Sequence, residues 1–294
     1  MSITDFHGYY FENQGISHCV FRKGHGPGEV ILHELPGMTE ACIRFAETVA
    51  QDFTVHMPLL FGEPGDNRPL LQLGKLCISR EFHLFAHGGG SPVTNWLRRL
   101  CRAVHAECGG PGVGVVGMCL TGNFAISLMA DESVKAPVTA QPALPLGLGS
   151  GSKAALAVTE DDLRAAAARG GAGTPLLGLR FSGDRICPPQ RFDTLRQTFG
   201  AAFRAVEIDS SPGNRFGIGP RAHAVLTLEF VDEEGHPTRQ ARDRVLGILR
   251  ERLLPHGRWG THPAPAVLIG FRGSSGMSGK RKYSQTAVVM ISAG

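Results

Sequence analysis

Four residues of this 294-residue chain have the types and order needed for acyl-transfer chemistry: Glu34, Cys119, Asp184 and His223. A cysteine attacks an acyl carbonyl as its thiolate. A histidine takes and returns the proton, and an aspartate fixes the tautomer of that histidine and stabilises its charged form. Around Cys119 the sequence runs Val-Gly-Val-Val-Gly-Met-Cys-Leu-Thr-Gly-Asn-Phe, an apolar β-type segment, a turn of small residues and the start of a helical pattern. Such a corner puts the sulfur at the C-terminal edge of a sheet beside the free N–H groups of the helix's first turn, which favour the thiolate. A tetrahedral intermediate needs two backbone donors. Leu120 follows the nucleophile and supplies one, and Leu35, following Glu34, supplies the other. Taken singly, each residue has a plainer use: a lone cysteine as a packed thiol, Asp184 as the cap of a helix at Pro188, His223 as a core histidine, Glu34 as a surface acid. Their joint placement at strand ends carries the functional reading.

The elements that must bring them together are short apolar strands alternating with amphipathic helices. Strands are expected at 16–22, 29–33, 53–57, 113–118, 136–140, 175–181 and 202–208. Helices are expected after Thr39, over 92–108, from Cys119 to about Asp131, over 160–169, 188–199 and 237–254. Thr39 and Thr159 are N-caps, and three acids follow Thr159 where the helix end is positive. Repeated βα units imply an α/β domain with a mostly parallel sheet covered by helices on both faces, and in such a sheet the site lies at the C-terminal strand edges. The domain spans 1–254. A C-terminal extension, 255–294, breaks the alternation and holds one β-like run at 286–291. The stretch 58–92 is too long for an ordinary connection.

The composition excludes several classes. A net charge of +4 is thinly spread, and 7% aromatic residues with one basic run, Lys280 to Lys282, do not make a nucleic-acid groove. No window has the length of a membrane span, and Met1 to Asn13 lacks the apolar core of a secretion signal. Seven cysteines without a CxxC pair fit reduced thiols in the cytoplasm and no disulfide framework. His83 and His87 have the i, i+4 spacing of a metal pair but no third ligand, so no metal and no cofactor are expected.

Nucleophile, acid and histidine follow the chain order of the α/β-hydrolase triad. Several segments together resemble the dienelactone hydrolase family of that superfamily: Ile31-Leu32-His33-Glu34-Leu35-Pro36-Gly37, the run from Phe53 to Gly62, Gly117-Met118-Cys119-Leu120-Thr121-Gly122, Phe181-Ser182-Gly183-Asp184 with Pro188, and His223-Ala224-Val225-Leu226-Thr227. The resemblance covers about residues 17–254. It implies an α/β-hydrolase fold with Cys119 as nucleophile, His223 as base, Asp184 as its partner and Glu34 as a carboxylate that meets the thiol before substrate arrives. Oxyanion donors are implied at Leu35 and Leu120. His87-Gly88-Gly89-Gly90 matches a glycine-rich oxyanion loop, but Gly88 lies only 31 positions before Cys119, whereas Glu34 lies 85 before it, as two helices and two strands require.

Two positions depart from the family pattern. Thr121 stands where the family has glycine, so that either the turn is reshaped or Thr121 faces the pocket. Thr227 stands where the dienelactone-cleaving members carry an arginine. Met118, Thr121 and Arg80, from the long loop, are candidate pocket residues. The implied activity is hydrolysis of a small carboxylic ester or lactone through an acyl-enzyme, with a small molecule as the only expected partner. Two other functions fit the same residues: a non-catalytic binding protein for a small ligand on this fold, or an acyl- or thioester-processing biosynthetic enzyme.

Overall fold

Apolar strands bounded by tight turns build one sheet in the computed structural model, which describes residues 3–35, 37–65, 91–144 and 153–254 and the backbone of 288–290. Its strands are β1 (His7–Asn13), β2 (Ile16–Lys23), β3 (Gly28–Leu32), β4 (Thr54–Pro58), β5 (Val113–Met118), β6 (Val134–Ala140), β7 (Leu176–Phe181), β8 (Phe203–Ile208) and β9 (Val288–Met290). In space they run β8-β7-β6-β5-β3-β4-β2-β1-β9. From β4 to β8 along that order every pairing is parallel, while β1 pairs with β2 and β2 with β4 in antiparallel fashion. Strand β9, inside the expected β-like run, lies parallel to β1.

The strand β1 was not expected from the sequence. It belongs to a hairpin whose two turn residues, Gln14 and Gly15, both have positive φ, 53° and 78°. That is the twist a two-residue hairpin requires, and glutamine in place of the usual asparagine or aspartate hides it. Tyr9 and Phe11 then turn inward on alternate positions.

Among the described residues six helices cover the sheet: α1 (Glu40–Val49), α2 (Pro92–Cys108), α3 (Gly122–Leu128), α4 (Glu160–Gly171), α5 (Pro189–Phe199) and α6 (Pro237–Leu253). Thr39 and Thr159 cap α1 and α4, accepting from the amides of Cys42 and Asp162. One face is covered by α1 and α6, whose Phe45, Val49, Val245 and Leu249 pack on Ile31, Val55 and Val116. The other carries α2 and α3, with Trp96, Leu100 and Phe124 against Val30, Leu32 and Val115, while α4 and α5 extend this layer over β7 and β8. Burying each such aliphatic or aromatic side chain contributes roughly 1.5–3 kcal/mol. The helix expected to run from Cys119 to about Asp131 is instead a 3-10 turn, Cys119–Thr121, followed by the short α3, whose last turn closes at Met129.

The order matters for the site. From β3 the chain moves to β4 on one side, and then crosses back to place β5 on the other side of β3. Loops leaving β3 and β5 therefore diverge, opening a crevice at their C-terminal ends.

Candidate active site

Cys119 sits at that crevice in a strained turn. All six residues of β5 are buried, and the cysteine after them has φ 56°, a left-handed conformation that costs a non-glycine residue free energy. The turn is tight enough to need glycine on both sides: a Cβ on Gly117 would lie 2.3 Å from the carbonyl oxygen of Thr121, and one on Gly122 would lie 2.9 Å from Thr139 Oγ1. Thr121, between them, has helical φ −74° and ψ −11°, so its Cβ meets no backbone penalty. Its hydroxyl accepts from the Met118 amide at 3.0 Å and lies 2.8, 2.9 and 3.2 Å from the carbonyls of Met118, Leu32 and His33, to one of which it donates.

The pocket role expected for Thr121 is thereby corrected. It is fully buried, and its hydroxyl is spent tying the end of β5 to the end of β3. Met118 is likewise packed in the core beside Met38 and Val138, not in a pocket wall, because the inward face of a fully buried strand points it there. Arg80, His83 and the His87 to Gly90 loop lie outside the described residues.

Asp184 and His223 come from the loops after β7 and β8. Asp184 is 3% exposed; its Oδ1 accepts from the amides of Ile186 at 2.8 Å and Cys187 at 3.1 Å, and its Oδ2 meets His223 Nδ1 at 2.7 Å. The helix-capping use weighed for Asp184 is absent, since Ile186 and Cys187 precede the helix and its N-cap, Pro188, receives no side-chain bond; Oδ1 instead holds the loop and leaves Oδ2 for the histidine. Among the described residues His223 Nε2 is buried with no hydrogen-bond partner, and Cys119 is near enough to act on the His223 pKa. Burial alone would push the His223 pKa down. The bond to Asp184, and after it the interaction with Cys119, outweigh burial and raise it to about 10.

Glu34 follows β3 and is 2% exposed. Its Oε1 accepts from the Thr227 hydroxyl, and its Oε2 accepts from Gln141 Nε2 at 3.1 Å. Burial raises its pKa to about 7, against the lowering effects of Thr227, the His223 charge and Gln141. The carboxyl thus bonds these two neutral donors. Thr227, where the resemblance leads one to look for arginine, supplies a hydroxyl to Glu34. Leu35 and Cys119 are half-buried against the apolar cluster that contains Leu120, Leu60 and Phe61. Behind them His33 is buried and held neutral, its pKa lowered to about 4 by burial, and accepts from the Leu60 amide at 3.1 Å.

Sequence reasoning missed Gln141, Arg191 and Asn123, which hold the loops around the site. None belongs to a motif, and only their burial and distant partners mark them. Among the described residues one set of side chains approaches a metal-binding arrangement, His56, Glu107 and Cys108, with ligand atoms within 4.8 Å of one another. A tetrahedral zinc site would hold them at about 3.5 Å. The groups already have partners here, Arg22 on Glu107 at 2.9 Å and Tyr9 on His56 at 2.9 Å. No described helix is long and apolar enough to cross a membrane.

No protein-family model matches this chain, and no curated protein sequence does. Solved structures do. A candidate dienelactone hydrolase from Klebsiella pneumoniae subsp. pneumoniae MGH 78578 is similar over 84% of this chain and 98% of its own, at 18% identity and a TM-score of 0.56. The dienelactone hydrolase-like promiscuous phosphotriesterase P91 from metagenomic libraries is similar over 84% and 98%, at 13% identity and 0.57. Est1E from Butyrivibrio proteoclasticus is similar over 83% and 98%, at 12% identity and 0.52. At such identities the likeness speaks for architecture, and with the strand order above it resolves the fold: the chain is an α/β-hydrolase in fold, resembling dienelactone hydrolase and its relatives.

Proposed function

We propose that this protein hydrolyses small carboxylic esters or lactones through a cysteinyl acyl-enzyme. The observation that carries the reading is the line Asp184–His223–Cys119, with a 2.7 Å carboxyl–imidazole bond at one end and a thiol in a left-handed turn at the other. His223, oriented by Asp184, takes the proton of the Cys119 thiol and holds it as the imidazolium. The thiolate attacks the acyl carbon, and the amides of Leu35 and Leu120 receive the oxyanion. Collapse breaks the bond to the leaving oxygen, which takes the Nε2 proton of His223. Neutral His223 then accepts a proton from water, the hydroxide attacks the thioester, and expulsion of the sulfur as thiolate restores the ion pair and releases the acid.

Thr227 offers Glu34 a hydroxyl and the substrate no cation. The substrate class is therefore a small ester or lactone, without a carboxylate anchored at that position. The names of two similar structures, a candidate dienelactone hydrolase and a dienelactone hydrolase-like phosphotriesterase, are in keeping with hydrolysis.

Cys119→Ala is expected to lower turnover of p-nitrophenyl butyrate by at least about 10³-fold. Iodoacetamide at neutral pH is expected to label Cys119 ahead of Cys19, Cys42, Cys101, Cys108 and Cys187, whose thiol pKa values burial raises. Full turnover by Cys119→Ala overturns the mechanism. Equal, slow labelling of all the thiols would favour the binding-protein alternative.

A further inference from the structure

The loop leaving β6 contributes no reacting group to the chemistry above, yet it touches every loop that does. Ala143 donates its amide to the carbonyl of Cys119 at 3.0 Å. Asn123 donates from Nδ2 to the carbonyls of Ala143 at 2.7 Å and Leu120 at 3.2 Å. Arg191, buried in the first turn of α5, joins the carbonyl of Pro142 to that of Ile186 with 2.8 Å bonds, and Ile186 donates to Asp184.

Gln141 opens this loop and is fully buried. Its Nε2 donates to Glu34 at 3.1 Å, while its Oε1 accepts from the amide of Val225, two residues past His223, at 3.4 Å. The backbone is pinned as well, the Gln141 amide donating to Leu179 in β7 at 2.6 Å. It is pinned in a conformation that a side chain opposes, since φ is 37°. A non-glycine residue persists in such a conformation only where its surroundings over-determine it. Glycine would fit this backbone at less cost, so the amide side chain is what glycine could not supply.

We infer that Gln141 is a positioning residue for this site: one buried amide, held by a strained backbone, sets the Glu34 carboxyl against the loop that carries His223. The inference rests on the reading of the site as catalytic, but it has a readout that does not.

The experiment uses the full chain with ¹³C-carboxyl-labelled glutamate, its Glu34 resonance assigned through Glu34→Gln, and compares the parent with Gln141→Gly and Gln141→Met. Glycine relieves the backbone strain, and methionine keeps the length and volume of the side chain, so loss of the amide is common to both. Glu34 is expected to titrate near 7 in the parent and at higher pH in both variants, because a donor to its charged form has gone. Turnover of p-nitrophenyl butyrate is expected to fall about tenfold in kcat with KM changed less than about twofold. A titration that does not move, an unchanged kcat in an active parent, or two variants that fail to fold would each overturn the inference, the last by making Gln141 structural only. A parent without esterase activity overturns the hydrolase reading instead, while the titration still decides the role of Gln141.

Discussion

Glu29 and Glu34 lie five positions apart along the same strand and its exit, both with buried carboxyls, and the molecule treats them in opposite ways. Glu34, where the strand has ended, receives bonds from Thr227 and Gln141 and lies near the charge of His223. Glu29, inside β3, has no hydrogen-bond partner on either oxygen among the described residues. A Cβ placed on Gly114 would fall 1.8 Å from Glu29 Oε2 and 2.8 Å from Leu249 Cδ2, so the carboxyl fills the space that a side chain on β5 would take. Burial raises both pKa values, that of Glu29 well above the ordinary carboxylate range and that of Glu34 only to about 7. The difference lies in the donors. Beyond the strand end, loops can turn side chains toward a carboxyl, whereas inside the sheet the neighbouring backbone is already paired.

The comparison breaks most visibly on activity. Glu34→Gln is expected to lower kcat on p-nitrophenyl butyrate by about 10²-fold, and Glu29→Gln to leave it within about twofold. Equal losses would mean that the two carboxyls serve folding alone.

Stability is the next test. Glu29→Met replaces an unpaired buried acid by an apolar side chain of similar length, and should stabilise the fold at pH 8 by about 1–3 kcal/mol in urea unfolding. Glu34→Met should not, because it leaves Thr227 and Gln141 without their acceptor. A destabilised Glu29→Met would mean that the Glu29 carboxyl has a partner in solution.

The smallest effect is a slope. A carboxyl whose folded pKa exceeds its unfolded one binds its proton more tightly in the folded chain. Its contribution is complete below about 4.5 and is lost as pH rises through the folded value. For Glu34 that window closes near 7 and for Glu29 it extends well above the usual range. Each group adds at most about 1.4 kcal/mol per pH unit. Unfolding followed from pH 4 to 9 should therefore decline less steeply in either Gln variant than in the parent, with the Glu34→Gln difference ending near neutrality and the Glu29→Gln difference continuing beyond it.

Much of the scaffold was legible because it is local. The expected helix 92–108 coincides with α2, since Trp96, Leu97, Leu100, Cys101 and Val104 repeat at helical spacing and Pro92 and Gly109 mark its ends. Thr39 and Thr159 were readable as caps from one side chain and the amide three residues on. β1 was not, because its inward residues are two aromatics and its turn is Gln-Gly, so that only pairing with β2 reveals the strand. Thr121 left two outcomes open on sequence alone. Which held depended on carbonyls at Leu32 and His33, almost ninety positions away.

By itself the sequence determined the order of Glu34, Cys119, Asp184 and His223 and the alternating elements that bring such residues to one sheet edge, because periodicity, caps and turns act over a few neighbours. Only the tertiary structure decided what each buried polar group bonds. Thr227 reaches Glu34 across 193 positions and Gln141 reaches it across 107. Such partners are chosen by the packing of distant loops, where burial makes every unpaired donor or acceptor costly.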